Sequence, residues 1–414
     1  MIERIPSSTT QEAAAEVDWD IVVIGAGPAG AVAAREAARR GGTVLLVDRK
    51  SFPRAKVCGC CLNGATLGVL AEIGLEDLTM RCGAVPLASI CLASRRRRAA
   101  IPLGEGVSLS RERFDAELIQ AAIAVGAQFL DGTQATIGEV DGPRRFVELK
   151  VDQRVTQTRS AVVVVAGGLG CRVFAGVGEG ERQAVATSRV GAGAVLDTQS
   201  SHYSPGTIFM ACHRDGYVGL VRLEDDRLDI AAALDAIAIK RQGGIGPLIE
   251  RILETSEMPL PAAMGEATWH GTARLTQCRE RVGGPNYFVV GDAAGYIEPF
   301  TGEGIAWALA TGRAVVPYAL DYVQGHVTDA LVEWSAHRSA LIGERMRRCR
   351  IVSYLLRHPT FVSMAVRLLA RAPGLASPFV NALNRTIANT STKPQARNHK
   401  HQITSTKSQT NSKY

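Results

Sequence analysis

The 414-residue chain is poor in aromatic side chains, 5% of its composition. It contains no apolar window approaching the ~20 residues that a helix needs to cross a bilayer, so a helical membrane protein is not expected. Residues 1–19 are polar and acidic and lack the apolar stretch of a secretory signal. The nine cysteines, an odd number, are therefore expected to stay reduced in a cytoplasmic protein. No internal repeat of useful length is present. The basic excess, a formal charge of +7, gathers at Arg95-Arg96-Arg97-Arg98, at Arg345–Arg350 and in the C-terminal tail. No aromatic interleaving or nucleic-acid motif accompanies these clusters, so they read as solvated surface and no nucleic-acid partner is expected.

What the chain does have is Asp20-Ile-Val-Val-Ile-Gly-Ala-Gly-Pro-Ala-Gly, followed by Val44-Leu-Leu-Val-Asp48. Ile21–Ile24 is too short for a helix and is bounded at once by glycine, as a buried parallel strand is. Gly25, Gly27 and Gly30 then have the G-x-G-x-x-G spacing. The first permits a tight turn, the second close backbone approach to a pyrophosphate, and the third packing of helix on strand. Ala29–Arg40 is alanine-rich and helical by propensity, and its N-terminus presents free N–H groups to an anion. Asp48 closes a second strand, Thr43–Val47, about 20 residues past the glycines, where a carboxylate can accept ribose hydroxyls. A carboxylate there disfavours a 2′-phosphate, which leaves FAD or NAD at this site.

Residues 1–17 read as a disordered leader. After Asp48 a basic loop, Lys50–Lys56, leads into Cys58-Gly59-Cys60-Cys61-Leu62-Asn63-Gly64 and a helix ending near Ile73. Cys82–Leu103 reads as a β-hairpin with the arginines at its tip or exposed edge, and Val107–Val125 as a helix. Residues 133–165 read as strands ending in the apolar run Ala161–Val165. Short strands dominate from Val190 to about Ile239, Ile245–Ser256 is a helix, and Tyr287–Val290 is a buried strand entering Gly291-Asp292-Ala293-Ala294-Gly295. Thr301-Gly302-Glu303-Gly304 opens a long helix, and further helices reach about Asn384. The last thirty residues are too polar to bury a core. Gly191-Ala192-Gly193 lacks a third glycine, so a second dinucleotide-binding unit for NAD(P)H is not expected.

Three motifs together resemble the FAD-dependent oxidoreductases of the p-hydroxybenzoate hydroxylase fold, and within them the geranylgeranyl reductase-like branch, which neighbours the flavin halogenases. The first is the glycine fingerprint. The second, Phe52-Pro53-Arg54-Ala55-Lys56-Val57-Cys58-Gly59, is similar to that branch's loop beside the flavin ring. The third is Gly291-Asp292-Ala293-Ala294-Gly295 with Pro299-Phe300-Thr301-Gly302-Glu303-Gly304-Ile305. The resemblance implies an α/β fold with a Rossmann-like FAD domain of the glutathione reductase-like type, an inserted mixed β-sheet substrate domain and C-terminal helices. The expected boundaries are 18–80, 104–188 and 275–325 for the FAD domain, 81–103 and 189–274 for the substrate domain, 326–384 for the helices and 385–414 for a disordered tail. Gly25, Gly27, Pro28, Ala29, Gly30, Asp48, Arg49, Lys56, Cys58, Gly59, Arg111, Gly291, Asp292, Pro299, Gly302, Gly304 and Ile305 are the expected cofactor contacts. Asp292 can accept a ribityl hydroxyl. The helix start at Gly302–Gly304 faces the flavin edge where negative charge collects on reduction, a site worth ~0.3–1 kcal/mol to an anion.

The implied activity is oxidoreduction of an apolar organic or lipid substrate, by C=C reduction or by hydroxylation, with NAD(P)H as a transient electron donor. Where monooxygenases of this fold carry Asp-Gly, the chain has Gly167-Gly168, and the halogenase Trp-rich motif is absent. Halogenation and a non-enzymatic flavin electron carrier are the alternative readings. Cys58-Gly59-Cys60-Cys61 admits two roles. A thiolate near Lys56 and Arg54 would be activated, and the resemblance makes Cys58 a candidate proton donor in alkene reduction. Small packing residues in a tight loop are the plainer reading. No histidine lies near the cluster, so no metal is expected. Ile342–Leu356 is amphipathic with a basic side; the C-terminal helices either cap the flavin domain or make peripheral contact with an anionic membrane.

Overall fold

The computed structural model describes residues 3–174, 182–198 and 202–388. Five parallel strands form the centre of the first sheet, in the order Tyr287–Val289, Arg154–Val165, Asp18–Ile24, Val44–Val47 and Gln128–Leu130. Gly283–Gly284 closes one edge antiparallel. Gln134–Asp141 and Arg144–Val151 extend the long strand Arg154–Val165 as antiparallel neighbours. Val22, Val23, Leu45, Leu46 and Val162–Val165 are fully buried, as strands covered on both faces must be. The strand order reverses beside Asp18–Ile24, which puts a topological switch point, where α/β sheets bind ligands, at Gly25.

Helix Pro28–Ala38 follows the first strand and packs against Arg111–Ile123 and Gly304–Val323. Its approach to the last of these is unusually close. A Cβ on Gly312 would lie 2.2 Å from the Ala29 carbonyl oxygen, so the two helix backbones meet where neither can carry a larger side chain.

The second sheet has seven strands, His270–Arg274, Val190–Leu196, Leu228–Leu234, Gly216–Arg222, Thr207–His213, Ser89–Ser94 and Arg97–Pro102. Its pleat gives it two different faces. Leu228, Ile230, Leu234, Val218 and Leu220 pack with Leu248, Ile249, Ile252 and Leu253 of helix Ile245–Thr255. The opposite face turns to the cofactor domain, where a Cβ on Gly193 would stand 3.3 Å from Val57 Cγ1. Helix Val327–Leu355 packs on Gly304–Val323, and helix Pro359–Arg371 lies on the hairpin of the second sheet through Val362 and Val366.

Several expectations need correction. The leader is ordered over its described residues. Ile5 is buried and its amide donates to the Phe52 carbonyl, Ser8 N donates to Phe129 O, and Thr10 caps a short helix, Gln11–Ala15. Buried Ile5 and Ala14, with hydrogen bonds from Ser7 to Asp131 and from Gln11 to the Leu149 carbonyl, dock it on the sheet edge. The helix expected from Val107 begins at Arg111, because Gly106–Ser108 is a strand paired with Cys61–Asn63 and Ser110 supplies the N-cap. The arginine block is not wholly solvated: Arg97 donates to the Ser363 carbonyl and hydroxyl, and Arg96 pairs with Glu257. Of the expected tail, 385–388 pack on the body, with Ile387 buried and its carbonyl accepting from Arg313. Residues 389–414 lie outside the described residues.

Candidate active site

The fingerprint glycines differ in what they leave open. A Cβ on Gly25, which has φ +108°, would lie 2.5 Å from the Ala166 carbonyl oxygen, and one on Gly30 would lie 1.8 Å from the Gly25 carbonyl oxygen. These two permit the turn and the helix–strand contact. Gly27 meets only Arg54 Nη2, at 3.8 Å, and no side chain caps the helix that starts at Pro28. Backbone N–H groups at such a start favour an anion. Asp48 is buried, and its carboxylate accepts from Ala26 N at 2.8 Å and Lys50 N at 2.9 Å, which fixes its orientation beside the glycine turn. Arg49 is exposed and borders a shallow groove with Lys50 and Lys150.

The second glycine motif abuts the first, although more than 250 residues separate them. A Cβ on Gly291, at φ +58°, would lie 2.9 Å from Ala29 Cβ, and the Gly291 amide donates to Thr311 Oγ1. Asp292 is half-buried on a turn of 3₁₀ helix, Gly291–Ala294. Gly302 has φ +68° with nothing within 4 Å of its Cβ position, and helix Gly304–Val323 again has no side-chain cap. Pro299 is half-buried and Ile305 buried. Two open, uncapped helix starts thus face the same junction, and they fit an extended dinucleotide with anionic and electron-accepting ends.

The loop between these starts carries the titratable groups. Lys56 has its Nζ 3.6 Å from the Cβ position of Gly168, and burial with the nearby Arg111 lowers its pKa against the opposing pull of Asp292. Arg111 is buried and held at both Nε and Nη2 by Asp115, each at 2.8 Å, with Arg54 Nη2 3.7 Å from the same carboxylate. Cys58 is half-buried. The hydrogen bond from Cys60 and then the Arg111 guanidinium hold its thiol down to about 5, overcoming the upward push of burial. Cys60 and Cys61 are pushed the other way, by their hydrogen-bond and burial costs respectively. The loop opens on a cavity of ≈ 620 Å³, lined from the cofactor side by Lys56, Val57, Cys58 and Arg111 and from the sheet side by Ala194, Leu196, Leu223 and Asp229. His270, to which the sequence assigns no role, also lines it.

Sequence reasoning missed the groups that hold these parts together. Glu298, 1% exposed, pairs with the equally buried Arg189 at 2.9 Å, and its carbonyl accepts from Ser353 and Cys349. This ties the Pro299–Gly302 loop to both the second sheet and a C-terminal helix. Glu303 is anchored by Arg345 at 2.8 Å. Asp229 is 4% exposed within an otherwise apolar strand, and an acid in Leu-Asp-Ile-Ala-Ala-Ala-Leu is a signal that could have been read.

A glycine turn at a switch point, an acid ending the next strand, and a second Gly-Asp turn locked against the first define a dinucleotide-binding flavoprotein. The FAD binding domain family model matches residues 18–347, and the chain belongs to that family. It is an FAD-dependent oxidoreductase. Digeranylgeranylglycerophospholipid reductase 1 of Methanopyrus kandleri is 26% identical over 336 residues, covering 76% of this chain and 84% of the relative. Menaquinone reductase of Mycobacterium tuberculosis is 26% identical over 401 residues, covering 89% and 91%. The structure of the flavin-dependent brominase Bmp2 shares the fold, with TM-score 0.72, 17% identity, and coverage of 89% of this chain and 94% of that one.

Proposed function

We propose that this oxidoreductase reduces a carbon–carbon double bond in an apolar, isoprenoid-type substrate. The observation that carries the reading is Cys58, a thiol group beside Arg111 on the loop between the open helix starts and a partly apolar cavity. The reductase names of the two relatives support it. Gly25, Gly27, Gly30 and Asp48 would hold the adenosine and pyrophosphate end of FAD, with Arg54 at the mouth. Asp292, Lys56, Gly302 and Gly304 would hold the flavin end. Reduced FAD supplies a hydride; the chain orients the substrate, excludes water and brings a proton to Cys58 Sγ. Gly167 stands where the aspartate of the monooxygenase-type Asp-Gly pair is expected, which favours reduction over hydroxylation. The test is anaerobic turnover of a geranylgeranyl lipid by dithionite-reduced holoenzyme, read by mass spectrometry. A saturated product is expected. A product carrying oxygen only in air would mark a monooxygenase instead, and no product of either kind would leave an electron carrier.

The substrate is proposed to arrive from an anionic membrane surface. From Arg345 to the C-terminus the chain has 13 basic and no acidic residues, whereas the 344 residues before it have 34 basic and 40 acidic. On helix Pro359–Arg371, Val362 and Val366 are buried, while Phe361, Met364 and Leu368 form a second, exposed apolar stripe with Arg367 and Arg371 alongside. Ile351, Tyr354, Leu375 and Phe379 extend the exposed apolar set onto the neighbouring segments. Such a surface matches acyl boundary plus anionic headgroups, each arginine contributing ~1 kcal/mol near the surface. No helix among the described residues is long and apolar enough to cross a membrane. Flotation with phosphatidylglycerol vesicles at low salt is expected to carry the protein upward, and phosphatidylcholine vesicles to carry little; equal failure with both would remove this contact.

A further inference from the structure

The cavity between the cofactor loop and the second sheet is lined by one polar side chain that the protein leaves unsatisfied. Gly193 faces Val57 of the cofactor loop, and Val195, two residues on, shares that face of its strand. Asp229 stands opposite Val195 in the antiparallel register and opposite Val221 on its other side. Its side chain therefore points the same way, into the cavity that it lines. Asp229 is 4% exposed, and its Oδ2 is buried with no hydrogen-bond partner. Among the described residues, no other side chain both lines this cavity and keeps a buried polar atom unpartnered. The Tyr217 hydroxyl is unpartnered too, but its ring packs edge-on against Phe300 at 5.1 Å, outside this lining.

The nearby cations are engaged elsewhere. Arg227, on the same wall, pairs with Glu112 and Asp225, each at 2.7 Å. Arg111, on the cofactor side, is held by Asp115. A carboxyl group buried without a partner costs stability, and an apolar residue would fit a strand whose other members are Leu, Ile and Ala. The bond that the protein does not supply is left to a molecule in the cavity. Water can take it, and a ligand displaces that water without loss only if it reproduces the hydrogen bond. A carboxyl oxygen accepts from O–H whether or not the group is ionised, and its two-fold χ2 torsion lets either oxygen turn to the ligand. A phosphate is a poor match, because the sheet-side lining sets Asp197, Glu266 and Asp229 against His270 and the already paired Arg227.

We propose, resting on the isoprenoid reading above, that Asp229 determines specificity for the polar end of the substrate, and that this end is an uncharged hydroxyl. The cavity then takes an isoprenoid alcohol in preference to the hydrocarbon or the diphosphate. Its hydroxyl donates to Asp229 on one wall, and the chain extends across the cavity toward Cys58 on the other.

The test is binding to oxidised, FAD-loaded protein, read as the perturbation of flavin absorbance. The probes are geranylgeraniol, the analogue with methyl in place of its hydroxyl, and geranylgeranyl diphosphate. Wild type should bind the alcohol about 10-fold or more tightly than the methyl analogue, as expected where the wrong ligand leaves a buried acceptor unpaired, and more tightly than the diphosphate. Asp229→Leu should bind alcohol and methyl analogue alike, whereas Asp229→Asn, whose amide oxygen still accepts, should keep the preference. Asp229→Ala gives the same reading if the leucine variant does not retain flavin. Equal affinity for alcohol and analogue in wild type, an unchanged preference in the apolar variant, or tighter binding of the diphosphate would overturn the assignment. A reduced holoenzyme that prefers the alcohol yet leaves its double bonds intact would keep the hydroxyl site and overturn the proposed reduction. Saturation of alcohol and analogue with equal kcat/KM would keep the reduction and overturn the site.

Discussion

The two sheets place their buried polar groups differently. In the first sheet the strand ends beside the glycine turns are hydrocarbon, with Val22, Leu46, Val163 and Phe288 fully buried. Its buried polar groups, Arg145, Thr158 and Ser160, lie toward the opposite ends of the strands, and the acids that matter, Asp48 and Asp292, stand just past strand ends. In the seven-stranded sheet the strands themselves carry buried polar groups, namely Arg189 just before one strand, Tyr217, Arg222 and Asp229. A buried polar group must be satisfied or it costs stability. Arg222 is satisfied by the carbonyls of Tyr203, Thr198 and Asp226, and Arg189 in part, by Glu298 and the Arg214 carbonyl, with its Nε left unpaired. Asp229 Oδ2 and the Tyr217 hydroxyl are not. The first sheet presents its acids at strand ends, and the second presents Asp229 to the cavity from within a strand.

The sharpest way to break the first sheet is at its crossing points. Gly30→Ala puts a methyl group 1.8 Å from a carbonyl oxygen, and backbone cannot move aside as a side chain can. Destabilisation of ~3 kcal/mol, the upper end for overpacking, and purification without the flavin absorbance near the visible are expected; a yellow protein of normal stability would show that the turn has another geometry. Next in size is Arg189→Met, which leaves Glu298 buried with only Arg357 at 3.7 Å. Breaking a buried pair costs ~3–5 kcal/mol, and urea unfolding should show the lower part of that range because Arg357 remains.

Asp229 tests the second sheet from another side. Its folded pKa is raised, so its contribution to stability is complete below the unfolded value near 3.8 and is lost as pH rises through the folded value. Between the two, wild-type unfolding free energy should fall by up to ~1.4 kcal/mol per pH unit from this group. Asp229→Asn should flatten the profile by that amount, as denaturant titrations across pH 4–8, about the window available to a folded protein, would measure. A parallel profile would mean the carboxyl is not buried as described. The smallest effect on stability belongs to the exposed stripe of the C-terminal helices. Met364→Glu with Leu368→Glu should change stability by less than ~0.5 kcal/mol, as surface substitutions do, while abolishing flotation with anionic vesicles.

The legible part of the molecule was the part coded over short distances. Asp20–Asp48 could be read because each glycine, the helix start and the acid sit within one βαβ unit, and the third motif could be read by likeness to a family. Lys56, Cys58 and Arg111 could be named, yet their arrangement could not. Arg111 is oriented by Asp115 four residues on, but Cys58 borders a cavity whose far wall, Asp229 included, comes from a strand much later in the chain. The leader was misread for a related reason. Its Thr10 cap and Ile5 anchor are weak local signals that gain force only against Phe52 and Phe129.

The sequence by itself determined the class, an FAD-dependent oxidoreductase, through the glycine turn of one βαβ unit and a family likeness that included a second Gly-Asp turn. Periodicity, turn chemistry and spacing act between neighbours in the chain, and they need no partner from elsewhere. Only the tertiary structure decided which charged and polar groups are buried and what each of them faces. Those outcomes depend on dielectric and on counter-ions across the domain junction, brought together by Glu298, Arg189, Cys60 and Asp229 from distant segments.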